Sequence, residues 1–391
     1  MSNYSKRRLE EEKQKKLRFR SMMITSVLIV AIIGVVVAIV WKTQAGKSET
    51  ETVTEVKYDP FKYVTLGDFE GKVAYRIKPE VTDANLQESI DSLLKKGVEY
   101  KEVTERGLAN NDQITIDFKG TIDGKEFDGG TSEDYKYICG QGSMISGFDE
   151  GLVGAKKGEQ RTLNLKFPDD YQTATVAGKA VVFSVTVKKI EEVSVQPKWD
   201  DAFAKKSSDG KYETTAAYEE QLKEDLLTSA QKNSDSTLKS QLWKAVIDTT
   251  KVKGYPSALY KQLDSKIGSQ LTTSASQWGL ERDAYVKMLY GSTYKEYLVE
   301  YVNSEMIAKA LTQKLKIEVK DSEYDALAKE ILDDFSVTSV KKLEEAYGKD
   351  EIKAYLVNLE MFDYLTSKAE IKDVTQAEYE KIQEDAAAEQ K

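Results

Sequence analysis

The sequence predicts an α+β protein: an antiparallel half-barrel sheet with one short helix, then an all-α domain, and before both a single N-terminal transmembrane helix. Three observations predict it. Met22–Trp41 is a run of 20 residues without a charge. Residues 110–193 hold 11 of the 23 glycines, whereas residues 197–391 hold six. The apolar spacing changes near Trp199 from two residues to about 3.6. Strands joined by tight turns need glycine at positive φ, and helices do not.

Residues 1–21 form a basic tail with eight Lys/Arg against three Asp/Glu. Residues 22–41 are the expected transmembrane helix, since about 20 residues at 1.5 Å each match a hydrocarbon core of ~30 Å. The positive excess precedes the segment, so the N-terminus is expected in the cytoplasm and the main domains outside it, in a single-pass protein of the cell membrane. A cleaved signal peptide fits less well, because its apolar region is usually only ~7–15 residues long. A buried core helix fits less well too, because the run has no polar face. Residues 42–60 are a polar Thr/Glu-rich tether closed by Pro60.

Residues 61–109 are a linking segment with one helix. It starts at Thr82-Asp83 and carries Leu86, Ile90, Leu93 and Leu94 on one face. In residues 110–193, Ile114, Ile116 and Phe118 alternate with polar neighbours, as do Leu163, Leu165 and Phe167, and Val181, Phe183, Val185 and Val187. Asp123-Gly124 is a two-residue hairpin signal. Ser146–Val153 can form the short helix. From 197 to 391 the period is helical: Tyr218, Leu222 and Leu226; Leu238, Leu242 and Val246; Leu259, Leu263, Ile267 and Leu271. Asp321 is placed to cap a helix bearing Tyr324, Leu327, Ala328, Ile331 and Leu332. No heptad phase is sustained, so a long coiled coil is not expected.

Composition excludes several chemistries. The formal charge is -9, and the tail carries +5, so the remainder is at -14 and nucleic acid is not an expected partner. There is no histidine, which removes the usual catalytic triad and most zinc sites. Cys139 is the single cysteine, so no intramolecular disulfide can form, and it reads as a small buried residue. Gly140-x-Gly142 is not a nucleotide loop, because Ile145 breaks G-x-G-x-x-G. No cofactor and no metal are expected.

One resemblance is specific. Asn111–Gly120, Asp123–Gly130, Gly140–Gly151 and Phe167–Tyr171 resemble, in order and spacing, an FKBP-type peptidyl-prolyl isomerase domain in its trigger-factor form. The resemblance implies a proline pocket lined by Phe118, Phe127, Asp128, Tyr135, Met144, Ile145, Phe148, Tyr171 and Phe183. Within it, catalytic roles fall to Phe148 as floor, the backbone amide of Ile145 as holder of a substrate carbonyl, Tyr171 as rim hydroxyl, and Asp128. The others would bind substrate. Phe at 118 and 148, where small FKBP domains have Tyr and Trp, fits the trigger-factor branch.

Tyr63–Phe69, Trp199–Lys206, Tyr255–Leu259 and Lys316–Asp321 resemble the linker and chaperone arms of trigger factor, which are similar to SurA-like domains. The resemblance implies an isomerase and chaperone for unfolded, exported, proline-containing polypeptides. The ribosome-binding head with its Gly-Phe-Arg loop has no counterpart, so ribosome docking is not expected and the membrane anchor stands in its place. A non-catalytic peptide binder and a surface assembly scaffold remain alternatives. Trp278, Met288, Tyr290, Tyr294, Tyr297, Met306 and Phe362 are candidate client contacts on the helical half, though ordinary helix packing is the expected role for each.

Overall fold

The computed structural model describes residues 56–171, 173 and 175–389, without the side chains of Asp128 and Glu389. The basic tail, the expected transmembrane segment 22–41 and most of the tether lie outside the described residues. Among the described residues no helix is long and apolar enough to cross a membrane. The described residues form two compact units, one within residues 81–227 and one of residues 56–80 with 228–389. The linking segment 61–109 is therefore divided between them, as is the helical half that begins at 197. In chain order the strands are β1 (Val64–Thr65), β2 (Val73–Ile77), β3 (Glu99–Glu102), β4 (Gln113–Ile122), β5 (Lys125–Ile138), β6 (Gln160–Lys166), β7 (Ala180–Val195), β8 (Lys251–Val252) and β9 (Glu370–Val374).

The unit of residues 81–227 is built on an antiparallel sheet in the order β3-β7-β4-β5. Strand β7 is long enough to serve two partners on one edge. Its first half pairs with β6 and its last residues with β3, while β4 runs along the other edge. Strands β4 and β5 are joined by Asp123-Gly124, whose φ values of 51° and 75° give the double left-handed turn that the Asp-Gly signal predicts. A register shift between Ile116 and Phe118 interrupts the β4–β5 ladder just before the first of the pocket residues.

The helix Asp83–Lys96 is closed by a capping box. The Thr82 hydroxyl accepts the Asn85 N–H at 3.2 Å, and the Asn85 side chain accepts the Thr82 N–H at 3.2 Å. Such a cap contributes about 1 kcal/mol. The short helix is Phe148–Leu152, narrower than Ser146–Val153 because Gly147 at φ 88° stands outside helical geometry. It lays Phe148 and Leu152, both fully buried, against Ile114, Ile116, Val181, Val185 and Val187 of the sheet. Cys139 is buried in the same core as a free thiol, and burial pushes its pKa up to about 11.

Arg106 fixes the approach to β4. It forks onto the buried Asp112 at 2.5 and 2.8 Å and reaches Glu192 of β7 at 2.7 Å. Asp112 also accepts the Ala109 N–H at 2.8 Å, so its carboxylate is fully satisfied where an unpaired charge would be costly. Arg106 in turn holds the Glu192 carboxyl below its ordinary range.

The second unit has two cores. Trp243, Leu298, Met306, Leu311 and Phe362 belong to the larger, built mainly from helices Ser257–Gln277, Tyr294–Leu315 and Lys349–Lys368. Tyr324, Leu343, Ile352 and Leu356 belong to the smaller. Four of the candidate client contacts are core residues here: Tyr294, Tyr297, Met306 and Phe362 are all buried. Trp278 and Met288 are exposed, and half-buried Tyr290 stacks on Tyr297 at 4.5 Å. Helical spacing cannot distinguish a buried tyrosine from an exposed one when a helix is packed on several sides.

This unit is not wholly helical. Strand β8 pairs antiparallel with β1, and β9 pairs parallel with β2. A five-residue strand whose partner lies at the other end of the chain leaves little local pattern. The free edge of β2 is served by the Gln241 side chain, which accepts the Tyr75 N–H at 2.9 Å and donates to the Tyr75 carbonyl at 2.8 Å. Asp321 is the first residue of its helix, and Lys320 occupies the cap position. The Asp321 carboxylate pairs with Lys353 at 2.5 Å instead. The helix ends at Glu330, so Ile331 and Leu332 lie in the turn beyond it, with Ile331 still buried in the smaller core.

Candidate active site

Five phenylalanine rings meet on one side of the sheet unit. Phe183 of β7 is the hub, with ring centroids 5.9 Å from Phe118, 5.4 Å from Phe148, 6.4 Å from Phe127 and 6.5 Å from Phe167. Phe118 also meets Phe148 at 6.3 Å, and Phe127 meets Phe167 at 5.7 Å. All six contacts are edge-to-face, the arrangement that ring quadrupoles favour, each worth about 0.5–1.5 kcal/mol beyond buried area.

Two glycines make room for these rings. Gly120 lies opposite Phe183 in the β4–β7 ladder, and a Cβ there would come within 2.6 Å of the Phe183 ring. A Cβ on Gly130 would come within 2.8 Å of the Phe127 ring. The two glycines are thus required by close approach of ring to backbone.

Exposure is graded across the cluster. Phe148 is 0% exposed, Phe167 4% and Phe183 6%, whereas Tyr135 and Tyr171 are each 38% exposed. Phe118, Phe127, Met144 and Ile145 are half-buried and pack on the same core. Tyr135 is reached through Phe118 at 5.7 Å, and Tyr171 through Phe167 at 4.7 Å. The cluster therefore has a dry base and an accessible edge. Asp128 sits in β5 beside Phe127, and its side chain lies outside the description.

The backbone at Ile145 is half used. Its carbonyl accepts the Phe148 N–H at 3.1 Å, and its own N–H has no acceptor among the described residues. Charged groups stay at the margin. Lys188 pairs with Asp134 at 2.6 Å and Asp117 at 3.4 Å, all on the outer strand faces. Beneath Tyr135, the buried Tyr137 phenol is raised far above its ordinary range, first by burial and then by the Asp149 carboxylate. Such a surface can grip an apolar ring and offer an amide donor, and the described rings that form it carry no carboxylate, amine or thiol.

The structure brings Phe118, Phe127, Tyr135, Phe148 and Phe183 into one network, with Met144 and Ile145 against it. Tyr171 joins only through Phe167, a ring that the alternation of Leu163, Leu165 and Phe167 marked as a strand residue. Its contacts with Phe127, Tyr171 and Phe183 make it part of the ring cluster's buried base. Strand periodicity fixes which face a ring occupies, and cannot say which rings from other strands meet it.

A model of FKBP-type peptidyl-prolyl cis-trans isomerase domains matches residues 104–188. A model described as bacterial trigger factor protein (TF) C-terminus matches residues 214–366. The chain is 31% identical over 310 residues to the trigger factor of Halothermothrix orenii, covering 78% of this chain and 68% of that one. It is 30% identical over 347 residues to the trigger factor of Cupriavidus necator, covering 84% and 75%. With the trigger factor of Francisella philomiragia it shares 29% identity over 357 residues, covering 88% and 79%.

Proposed function

The chain belongs to the trigger factor family, and from that premise we propose that its isomerase site is the ring cluster built on Phe148 and Phe183. The protein is a peptidyl-prolyl cis-trans isomerase and a chaperone. The observation that carries the site is the graded network of rings, whose members all fall within the isomerase match.

Rotation about an X–Pro bond breaks no covalent bond and crosses a barrier of ~18–20 kcal/mol set by amide resonance. In the twisted transition state the nitrogen no longer shares its electrons with the carbonyl. The proline ring seats against Phe148 and Phe183 and is held while the preceding residue turns. The free Ile145 amide takes the substrate carbonyl. Tyr171, and Asp128 by its place beside Phe127, act from the rim. A water-poor seat disfavours the more polar planar amide relative to the twisted form. Lowering the barrier by about 4 kcal/mol accelerates the rotation roughly a thousandfold.

Two expected results follow from a site of this kind. Tyr171→Ala lowers kcat/KM for a proline tetrapeptide by about tenfold, the scale of one lost hydrogen bond and a ring contact. Its unfolding midpoint stays near wild type, because Tyr171 is exposed. An unchanged kcat/KM would remove Tyr171 from the site. Catalysis is also expected to be flat between about pH 6 and 9. Cys139, raised to about 11, stays a neutral thiol throughout that range, and burial keeps Tyr137 protonated as well. A bell-shaped profile would require an acid or base that this mechanism does not use.

In the same reading residues 22–41 anchor the protein in the cell membrane, the two units stand outside the cytoplasm, and the clients are unfolded exported chains. Ribosome docking has no part in it. The uncharged 20-residue run and the basic tail before it support this reading. Protease added to intact cells should digest both units. Protection until the membrane is opened would reverse the topology and leave the isomerase assignment standing.

A further inference from the structure

Arg282 is the first residue of the helix Arg282–Tyr290, and its guanidinium lies over the Tyr294 ring at 3.7 Å. Its Nε is buried, and among the described residues none of its N–H groups meets an acceptor and no carboxylate pairs with it. A guanidinium carries five donors in a planar fork, and stacking uses its face while leaving that fork free. The Nη groups are not among the buried atoms, so they are the donors of this fork that a ligand can reach.

The group borders an open concavity of about 540 Å³, lined among others by Lys261, Asp264, Ser269, Thr272 and Thr273. Asp264 is already engaged, since its Oδ1 accepts the Tyr294 hydroxyl at 2.6 Å. Gly268 is what lets the three groups converge. A Cβ there would lie 2.7 Å from the Tyr294 oxygen, 3.1 Å from Arg282 Nη1 and 3.4 Å from Asp264 Oδ1. The hydroxyls of Ser269, Thr272 and Thr273 donate to helix carbonyls at 2.7–2.9 Å, which leaves Arg282, Lys261 and the exposed Ser265 hydroxyl as the available donors, the first two of them charged. Two cations and one carboxylate give the wall a single positive charge. That balance suits a monoanion and not a phosphate dianion.

We propose that this concavity is a carboxylate-binding site on the chaperone unit, at which the Arg282 fork takes both oxygens of an acidic side chain or chain terminus of a client polypeptide. Lys261 adds charge at the margin. A planar carboxylate fits the fork by two parallel N–H···O bonds. The site would give the chaperone a polar hold on acidic stretches, which apolar contacts alone do not retain. It takes from the family only that clients are polypeptides, and it does not depend on the ring cluster.

The test reads the Arg282 Nε–H resonance in the full chain labelled with 15N-arginine. The probes are acetyl-Gly-Glu-Gly-amide, acetyl-Gly-Gln-Gly-amide, acetyl-triglycine with a free C-terminus, and inorganic phosphate, all at matched ionic strength. The expected result is a saturable shift with the Glu peptide, the free-terminus peptide or both, which also distinguishes the two sources, and none with the Gln peptide. Arg282→Lys keeps the charge but loses the fork, and should weaken a backbone-detected response about tenfold or more. Exposed Lys261→Gln should weaken it less, and serves if the first variant does not fold. Equal responses to the Glu and Gln peptides, no response to any carboxylate, or tighter binding of phosphate would each overturn the proposal.

Discussion

Phe148→Ala is expected to destabilise the sheet unit by about 3–5 kcal/mol, the range for deleting a buried phenylalanine side chain. The side chain is fully buried and loses its edge-to-face contacts with Phe118 and Phe183. A loss of that size lowers the melting temperature of a domain of this size by on the order of 10 °C. Below that transition, kcat/KM on a proline tetrapeptide should still fall by roughly two orders of magnitude or more, because the floor of the site is missing. Leu108→Ala separates the two effects. Leu108 is 2% exposed in the same core but makes none of the ring contacts. Its replacement should cost about 2–5 kcal/mol in stability with activity near wild type when folded. Equal loss of activity in both variants would mean that catalysis reports only on folding.

Trp243→Ala is the corresponding expectation for the helical unit. Trp243 is 2% exposed and packs on Phe362 at 6.1 Å, at the centre of the larger core. Truncation should cost this unit about 3–5 kcal/mol. Suppression of the aggregation of an unfolded client should then fail at temperatures where the wild type holds it. Tetrapeptide isomerisation should persist, since the ring cluster has its own core. The Trp243 indole N–H is buried without an acceptor among the described residues, so Trp243→Phe removes an unsatisfied donor together with some packing. It should therefore cost much less than the alanine variant. Loss of isomerase activity in step with chaperone loss would show that the two units do not fold separately.

Much of the sheet unit was legible in the sequence. Alternation placed Ile114, Ile116, Val181, Val185 and Val187 inward, and Asp123-Gly124 specified its turn through backbone geometry alone. The motifs that resemble an FKBP domain drew together five residues that meet as one ring network. What escaped depends on contacts between distant residues. Phe167 looked like one more inward residue, because its meeting with Phe127 and Tyr171 is made by the fold. Strand β9 has a short, polar sequence and owes its structure to β2. Arg282 is the sharpest case, since a lone arginine signals nothing until its stacking on Tyr294, with no hydrogen-bond acceptor among the described residues, is visible.

The most direct measurement is cis–trans exchange in a proline peptide, followed without a coupled protease by NMR exchange spectroscopy with catalytic amounts of the full chain. Wild type should accelerate exchange, and the double variant Phe118→Ala/Phe127→Ala, which strips two half-buried rings from the accessible side of the cluster, should abolish that acceleration while remaining folded. Acceleration that survives the loss of both rings would place the isomerase site elsewhere.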